Sequence, residues 1–109
     1  MKNAKLDISG VTVEVVPHLT FAANAEIEGS RVRMYRDPDS ERIEVIQTPL
    51  EHAVAVITQC VVDWDLADHA GKPVALTHAG ISAAPAAAVA DIVDAVEGHY
   101  AGPKESTQI

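Results

Sequence analysis

The stretch Val61-Val62-Asp63-Trp64-Asp65-Leu66 lies where a strongly apolar segment meets an acidic turn, and it holds the only tryptophan of the chain. The residues before it have a helical pattern, whereas the aspartates within it are typical of a solvated turn. The sequence therefore predicts that the central helix ends here. The corner is interpreted either as the pivot of a small core or as part of a docking surface.

The helix that leads into this corner is predicted over residues 48–62. Thr48 and Glu51 have the spacing of a capping box, and Pro49 suits the first helical position. Apolar residues recur at the spacing of one helical face, namely Leu50, Ala53, Val54, Ile57, Val61 and Trp64. Further apolar residues leave little polar surface, so this helix is expected to be central or to contact a second partner.

The composition predicts one small domain. Of the 109 residues, 48% are apolar, but alanine and valine dominate and aromatic residues are only 4%. We expect a single domain over residues 1–100 with a thin core, followed by a flexible polar tail over residues 101–109. Because so small a core gains from burying more surface, self-association or co-assembly is expected.

Charge and cysteine content argue against several classes of partner. Sixteen acidic residues against eight basic ones give a net charge of −8. Nucleic acid and anionic membranes both require clustered cations, so neither partner is expected. The single cysteine, Cys60, fits a reducing cytosol. With no apolar signal core and no stretch near the roughly 20 apolar residues of a membrane span, the protein is predicted to be cytoplasmic.

The N-terminal half begins with a predicted β-hairpin over residues 5–16, with a turn at Ser9-Gly10. Thr20 is placed to cap a helix that starts at Phe21. The expected inner face of that helix consists of Phe21, Ala22, Ala25 and Ile27.

Residues 31–48 admit two interpretations. The alternation on either side of Asp37-Pro38-Asp39-Ser40 is compatible with a second hairpin. The alternative is a helix that runs from residue 21 to about residue 35 and then a loop. We favour the helix first, with extended chain after Glu41.

The C-terminal half is predicted to contain two further helical segments. After a turn-rich connection and a short extended run over residues 74–76, Thr77 caps one turn over residues 78–82. Pro85 opens the last helix, which is expected to stop at Gly98 and to bury Val89, Ile92, Val93, Val96 and Tyr100. The predicted class is thus α+β and mostly helical, with an N-terminal β-hairpin followed by about three α-helices.

For each candidate catalytic or metal site, the sequence favours a structural role of the residues over a chemical one. Gly80-Ile81-Ser82 imitates a nucleophile elbow, but the preceding strand is too short, and a helix-start role for Ser82 is favoured. The aspartates of residues 63–68 do not match a calcium loop and are expected to bond nearby backbone amides. A zinc site from Cys60, His69 and His78 has no supporting spacing, so no metal or cofactor is expected. Cys60 is interpreted as an inert core thiol.

Trp64 has two compatible roles, as the residue that closes the apolar helical face and as an interface anchor. The expected partner surface is a groove around residues 50–66 and the last helix. Its hypothetical contact residues are Leu50, Val54, Ile57, Val61, Trp64, Leu66, Val89 and Val93.

Two stretches resemble proteins of tailed phages. The run Leu6-Asp7-Ile8-Ser9-Gly10-Val11-Thr12-Val13, followed by Leu19-Thr20-Phe21 and Ala25-Glu26-Ile27-Glu28, resembles the opening of lambda-like phage tail assembly proteins. The run Val62-Asp63-Trp64-Asp65-Leu66, followed by Gly71-Lys72-Pro73-Val74 and Leu76-Thr77, is similar to small proteins of tailed actinobacterial phages. These short motifs span about half of the chain.

The resemblance implies a non-enzymatic tail assembly chaperone in the host cytoplasm. Members of that family are mostly helical and are thought to coat the tape-measure protein before the tail tube polymerises around it. The implied partners are helical segments of the tape-measure protein, with the tail tube protein as a further candidate. The chain is shorter than many members and departs from them over residues 31–48. A head–tail connector, neck or minor tail component is therefore the alternative, and a small hydrolase using Ser82 and His78 is a second one.

Overall fold

The computed structural model describes residues 2–36, 38–40 and 42–101. Its elements follow the chain as β1 (Ala4–Ile8), β2 (Val11–Val15), α1 (Phe21–Gly29), β3 (Val32–Arg36), β4 (Ile43–Gln47), α2 (Pro49–Cys60), β5 (Val61–Trp64), α3 (His78–Ala83) and α4 (Ala86–Ala101). The predicted α+β class with an N-terminal hairpin is confirmed, with four helices in these residues where about three were expected. In the described part of the chain, no helix has both the length and the apolar character needed to cross a membrane.

The first hairpin forms as predicted. β1 and β2 pair antiparallel, with Leu6 opposite Val13. Ser9 and Gly10 have positive φ values of 52° and 87°, which suit a two-residue turn that follows the twist of its strands. Val13 and Val15 are fully buried, so the alternation along β2 determines which face of the hairpin lies in the core.

The stretch after α2 is a strand, which corrects the prediction that the helix continues to Val62. α2 ends at Cys60, and β5 pairs antiparallel with β2, with Trp64 opposite Val13. Val61 and Trp64 therefore lie on a strand and not on the apolar face of a helix. The reason is that β-branched residues suit a pleated strand, and that the pairing satisfies backbone groups of β2 that β1 leaves open. β2 becomes the central strand of a three-stranded sheet.

α1 begins at its predicted cap but buries a different face. Thr20 Oγ1 accepts a hydrogen bond from the Ala23 backbone N–H at 3.0 Å. The buried residues are Ala23 and Ile27, so the predicted inner face is wrong at Phe21, Ala22 and Ala25. Because successive residues of an α-helix are about 100° apart, a face through Ala23 and Ile27 turns the other three outward.

Residues 31–47 form a second hairpin, which corrects the favoured prediction of a helix to about residue 35. α1 ends at Gly29, and β3 pairs antiparallel with β4, with Met34 opposite Val45. The prediction of extended chain after Glu41 is confirmed by β4. Gly29 weakens helix continuation, and the alternation that follows it suits a strand. In the described residues, β3 and β4 pair only with each other.

α2 has Pro49 in its first turn as predicted, but the capping box does not form. The Thr48 side chain makes no cap hydrogen bond to the helix. Its Oγ1 instead donates to the carbonyl oxygen of Ser30 at 2.6 Å, because the second hairpin returns the chain to the end of α1. The buried face of α2 consists of Ala53, Val56, Ile57 and Cys60.

α3 is capped as predicted, since Thr77 Oγ1 accepts a hydrogen bond from the Gly80 N–H at 3.1 Å. Gly80 packs so closely on the preceding chain that a Cβ atom there would lie 2.2 Å from the carbonyl oxygen of Ala75. Only glycine fits this close approach without movement of the backbone. The glycine of the apparent nucleophile elbow thus has a packing role.

α4 buries most of the predicted stripe, namely Val89, Ile92, Val93 and Val96. It continues past Gly98 to Ala101, so the predicted stop at Gly98 is wrong. The half-buried Tyr100 donates its hydroxyl proton to the carbonyl oxygen of Val16, which ties α4 to the end of β2. Burial raises the pKa of Tyr100 to about 12. Beyond Ala101, the predicted tail lies outside the described residues.

Candidate functional site

An open groove of about 390 Å³ lies between α2, α3 and α4. Most of the side chains that line it are apolar, and several are small: Leu50, Ala53, Ile81, Ala84, Ala86, Val89, Ala90 and Val93. Alanines in a groove let the backbone of a bound element approach closely, as in complexes where an amphipathic helix lays its apolar face into an apolar groove.

One carboxylate, that of Asp94, lies in the lining of the groove. The exposed Glu51 on α2 and Asp91 on α4 lie outside this lining. The polar lining residues other than Asp94 are His52 and Ser82. This arrangement is complementary to an apolar stripe that is flanked by lysine or arginine.

The eight residues of the predicted partner surface fall into separate environments. Leu50, Val89 and Val93 line the groove. Three others, Ile57, Val61 and Leu66, are buried in the core. Val54 and Trp64 are half-buried and pack against that core. Partner binding by these eight residues stays a prediction.

Trp64 closes the core, although from a strand and not from the predicted helix. Its indole Nε1–H donates to the carbonyl oxygen of Val74 at 2.8 Å. This hydrogen bond joins β5 to the segment that leads into α3, and it gives the half-buried indole nitrogen a partner. The corner at residues 61–66 is therefore a junction between the sheet and the C-terminal helices.

Ser82 and His78 lie one helical turn apart on α3. The Ser82 Oγ and His78 Nδ1 atoms are 3.5 Å apart, and both side chains are exposed. Ser82 is the fifth residue of α3, so the predicted helix-start role is wrong. A nucleophile elbow would instead place the serine on a strained turn between a strand and a helix. Ser82 does not have that geometry.

Both aspartates after Trp64 bond backbone amides, but only Asp68 bonds nearby ones as predicted. Asp65 Oδ1 instead accepts a hydrogen bond at 2.7 Å from the N–H of Thr12, 53 positions earlier on β2. Asp68 Oδ1 accepts from the N–H groups of Ala70 and Lys72 at 2.8 and 2.9 Å and closes the turn between them. Across the described ranges, no group of three or more His, Cys, Asp or Glu side chains is placed to hold a metal ion.

Cys60 is 1% exposed and faces the core at the end of α2. Burial raises the pKa of its thiol to about 11, and the nearby charge of Glu97 acts in the same direction. A thiol that stays protonated at neutral pH is a poor nucleophile, in agreement with the predicted inert role.

A polar cluster at the base of the second hairpin was not anticipated from the sequence. We call it the base cluster, and it consists of Glu28, Ser30, Arg31, His52 and Glu97. Arg31 Nη2 lies 2.7 Å from Glu97 Oε2, and Arg31 Nε lies 2.9 Å from Glu28 Oε1. His52 Nε2 lies 3.1 Å from Glu97 Oε2, and its Nδ1 lies 3.1 Å from Ser30 Oγ.

Within the base cluster, the opposite charges of Glu28 and Arg31 shift the pKa of each group so that its charged form is favoured. The hydrogen bond from Arg31 lowers the pKa of Glu28. The same bond, with a contribution from Glu97, raises the pKa of Arg31. Only the spacing of Glu28 and Arg31, three residues apart, was visible in the sequence. Ser30 follows α1 directly, whereas His52 comes from α2 and Glu97 from α4, and these two reach the cluster only in the folded chain.

Comparison with models of known protein families, with curated proteins and with solved structures finds no match to this chain.

Proposed function

We propose that this chain is a non-enzymatic tail assembly chaperone of a tailed phage, and that it binds helical segments of the tape-measure protein. The observation that carries the proposal is the apolar groove between α2, α3 and α4, with Asp94 in its lining. A helix with an apolar stripe and a flanking basic residue would fill such a groove and pair with Asp94.

An open apolar groove suits a chaperone because the partner must later be released. The bound segment buries apolar side chains, while both of its ends stay accessible to the polymerising tail tube. The net charge of −8 also makes the protein without its bound partner repel other acidic proteins. The tail tube protein is the second candidate partner.

Overlapping peptides that tile the tape-measure protein of the same phage would test this function. We expect one or more basic amphipathic segments to bind the full-length chain in calorimetry, and the others to show no heat of binding. Failure of every tile to bind the folded chain would refute the chaperone proposal.

Two pairs of variants locate the binding site. Ala90 lines the groove, whereas Ala87, which is also exposed, lies on the same helix outside the lining. Ala90→Glu should abolish peptide binding and Ala87→Glu should leave it unchanged, because only the first fills the groove. Asp94→Lys should weaken a basic peptide by about tenfold or more, whereas Asp91→Lys should have a smaller effect. Equal effects within each pair would contradict the assignment of the groove.

The alternative is a structural head–tail connector, neck or minor tail component. It is favoured by the separate β3–β4 hairpin, since structural subunits commonly join by exchanging or adding strands. Mass spectrometry of purified particles distinguishes the two functions. A chaperone is absent from mature virions, whereas a connector is present in fixed stoichiometry.

A further inference from the structure

β1 is an outer strand of the three-stranded sheet, whose order is β1-β2-β5. On β2, Thr12 is bonded toward β5, because its carbonyl oxygen accepts from the Asp65 N–H at 3.1 Å and its N–H donates to Asp65 Oδ1 at 2.7 Å. Asp7 is opposite Thr12 across the first hairpin. Since antiparallel pairs alternate between hydrogen-bonded and non-hydrogen-bonded, Asp7 and Thr12 form a pair of the second kind. The backbone N–H and carbonyl groups of Asp7 therefore point to the outer edge.

The same alternation applies to Lys5, two residues earlier on β1. Its backbone N–H and carbonyl groups also point to the outer edge, whereas those of Leu6 bond to β2. In the described part of the chain, no strand pairs with β1 on this side. A row of open backbone groups is a template on which a further strand can pair.

The side chains of β1 determine which strand fits this edge. Lys5 and Asp7 are exposed, whereas Leu6 is half-buried against the core and Ile8 is buried. The side chains of paired strands share the same two faces of a sheet. An added strand must therefore bring apolar residues beside Leu6 and opposite charges beside Lys5 and Asp7.

A second β1 strand meets both requirements in one register. When two β1 strands run antiparallel about a two-fold axis at Leu6, residue 5 of each copy lies opposite residue 7 of the other. Lys5 then lies opposite Asp7 twice, and on the other face Ala4 lies opposite Ile8 twice, with the two Leu6 side chains between them. An axis at Lys5 or at Asp7 would instead set like charges opposite each other.

The backbone agrees with the same register. The outward groups of β1 belong to Lys5 and Asp7, and an axis at Leu6 makes these two residues hydrogen-bonded partners across the new contact. Leu6 becomes the non-hydrogen-bonded pair at the axis, where opposing side chains lie closest. Charge, apolar contact and backbone hydrogen bonding thus select one alignment of the two strands.

The other outer strand of the sheet, β5, has no such complementarity. Asp63 and Asp65 are the only charged residues of the stretch 61–66, so two copies paired there would bring carboxylates together. On β1, Lys5 is also opposite Glu14 of its own chain. In the paired form each Lys5 would lie between that Glu14 and Asp7 of the second copy. The charges therefore favour β1 over β5 as the edge that pairs.

We propose that two copies of this chain associate through the outer edge of β1 and form one continuous six-stranded sheet, in the order β5-β2-β1-β1-β2-β5. Each Lys5–Asp7 pair exchanges two backbone hydrogen bonds and brings one ammonium group beside one carboxylate. The two Leu6 side chains meet at the axis. Because an edge contact between five-residue strands is small, the dimer forms reversibly and depends on protein concentration.

The β1 edge and the groove between α2, α3 and α4 are different surfaces, so dimerisation does not rest on the chaperone function. A chain that dimerises through β1 and binds no tape-measure peptide would retain the dimer and lose the proposed function. A chain that binds the peptide and stays monomeric would do the reverse.

Sedimentation velocity of the full-length protein over a range of concentrations tests the contact. Asp7→Lys sets lysine opposite lysine at both pairs and should raise the dimer dissociation constant about fivefold or more. Within its own chain Asp7 is opposite the uncharged Thr12, so the variant removes no charge pair of the hairpin. The control is Asp91→Lys, which makes the same change of net charge at an exposed position of α4 and should leave the dimer unchanged.

Mixing two variants tests the register. Asp7→Lys carries two lysines on β1, and Lys5→Asp carries two aspartates. Each variant alone should dimerise weakly, whereas an equimolar mixture should form a heterodimer in which both charge pairs are restored. Circular dichroism spectra equal to the wild type would show that each variant is folded. A mixture that associates no better than the separate variants would contradict the register.

A disulfide gives the position of the axis. The Cα atoms of a non-hydrogen-bonded pair are about 4.5 Å apart, within the range that a disulfide spans. Leu6→Cys should therefore form a disulfide-linked dimer on mild oxidation, whereas Phe21→Cys, at an 88% exposed position of α1, should not. The native Cys60 is buried and does not compete.

Three results would overturn the β1 dimer. The first is a wild-type chain that stays monomeric at about 500 µM. The second is a dimer that Asp7→Lys and Asp91→Lys weaken equally, because the charge at the β1 edge would then have no specific role. The third is a Leu6→Cys chain that forms no more disulfide-linked dimer than Phe21→Cys does.

Discussion

Arg31 and Glu97 lie 66 positions apart in the sequence, yet their side chains meet at 2.7 Å. This contact joins the start of the second hairpin to the last helix. It is also the centre of the base cluster, since His52 approaches the same Glu97 oxygen.

Glu97→Gln should lower the free energy of unfolding by about 0.5–1 kcal/mol, because it removes a partly exposed ion pair. The Arg31 side chain is itself 45% exposed, so solvent screening keeps the effect small. Urea titration followed by circular dichroism measures it. Asp91→Asn, on the exposed side of the same helix, is the control. The difference between the two variants should shrink in about 1 M salt, and a difference that persists there would contradict an ionic contribution.

Glu28 should contribute to the loss of stability in acid. Its pKa is lowered in the folded state by the hydrogen bond from Arg31, so the folded chain resists protonation more than the unfolded chain does. The contribution is therefore present above the ordinary pKa of 4.5 and is lost as the pH falls through the lowered value. Glu28→Gln should make the free energy of unfolding, measured by urea titration, less dependent on pH in this acidic range. Glu26→Gln, also exposed on α1, should not.

Cys60 should react slowly with thiol reagents in the folded protein at pH 8 and rapidly in denaturant, because it is buried. Its pKa is raised to about 11 in the folded state, so the unfolded chain loses this proton first. Cys60 therefore contributes stability that is intact below the ordinary thiol pKa of about 9 and is lost between about pH 9 and 11. Cys60→Ala should remove that alkaline loss. Fast labelling of the native protein would contradict the described burial.

Gly80→Ala and Gly98→Ala form a matched pair with opposite expected results. The first puts a Cβ atom 2.2 Å from the Ala75 carbonyl oxygen, and it should destabilise the protein by about 2 kcal/mol or more. The second meets no atom within 4 Å inside α4, so it should stabilise by about 0.5–1 kcal/mol. Thermal melts of both variants measure the difference, and equal melting temperatures would be inconsistent with the packing of α3 on residue 75.

Trp64→Phe should cost about 1–2 kcal/mol, because the Val74 carbonyl loses its indole donor while most of the aromatic packing remains. Trp64→Ala should cost about 3–5 kcal/mol, since the packing is lost as well. Both need circular dichroism as the probe, because the variants contain no tryptophan. If Trp64→Phe were as stable as the wild type, the hydrogen bond to Val74 would not contribute.

Several predictions that rest on neighbours in the sequence agree with the structure, although the capping box at Thr48 and Glu51, the inner face of α1 and the stop at Gly98 do not form as predicted. The Ser9-Gly10 turn, the threonine caps at Thr20 and Thr77, and the buried stripe of α4 all depend on residues within about four positions. The α+β class with its first hairpin followed from these local patterns.

Two errors come from contacts between distant segments. The strand at residues 61–64 forms because β2 offers an open edge, which a helical spacing of apolar residues does not reveal. The Thr48 hydroxyl leaves its expected cap for Ser30, 18 positions away. The groove and the base cluster likewise assemble from distant segments, so the sequence showed only some of their residues as candidates.

The sequence by itself determined where turns and caps fall and which residues of α4 and the first hairpin are buried, because backbone geometry and side-chain periodicity act over a few residues. The tertiary structure alone decided that residues 61–64 leave the helix for a strand and that Arg31 meets Glu97. Each of these depends on a partner supplied by a remote segment, whose hydrogen bonds, charges and apolar surface outweigh the local preference.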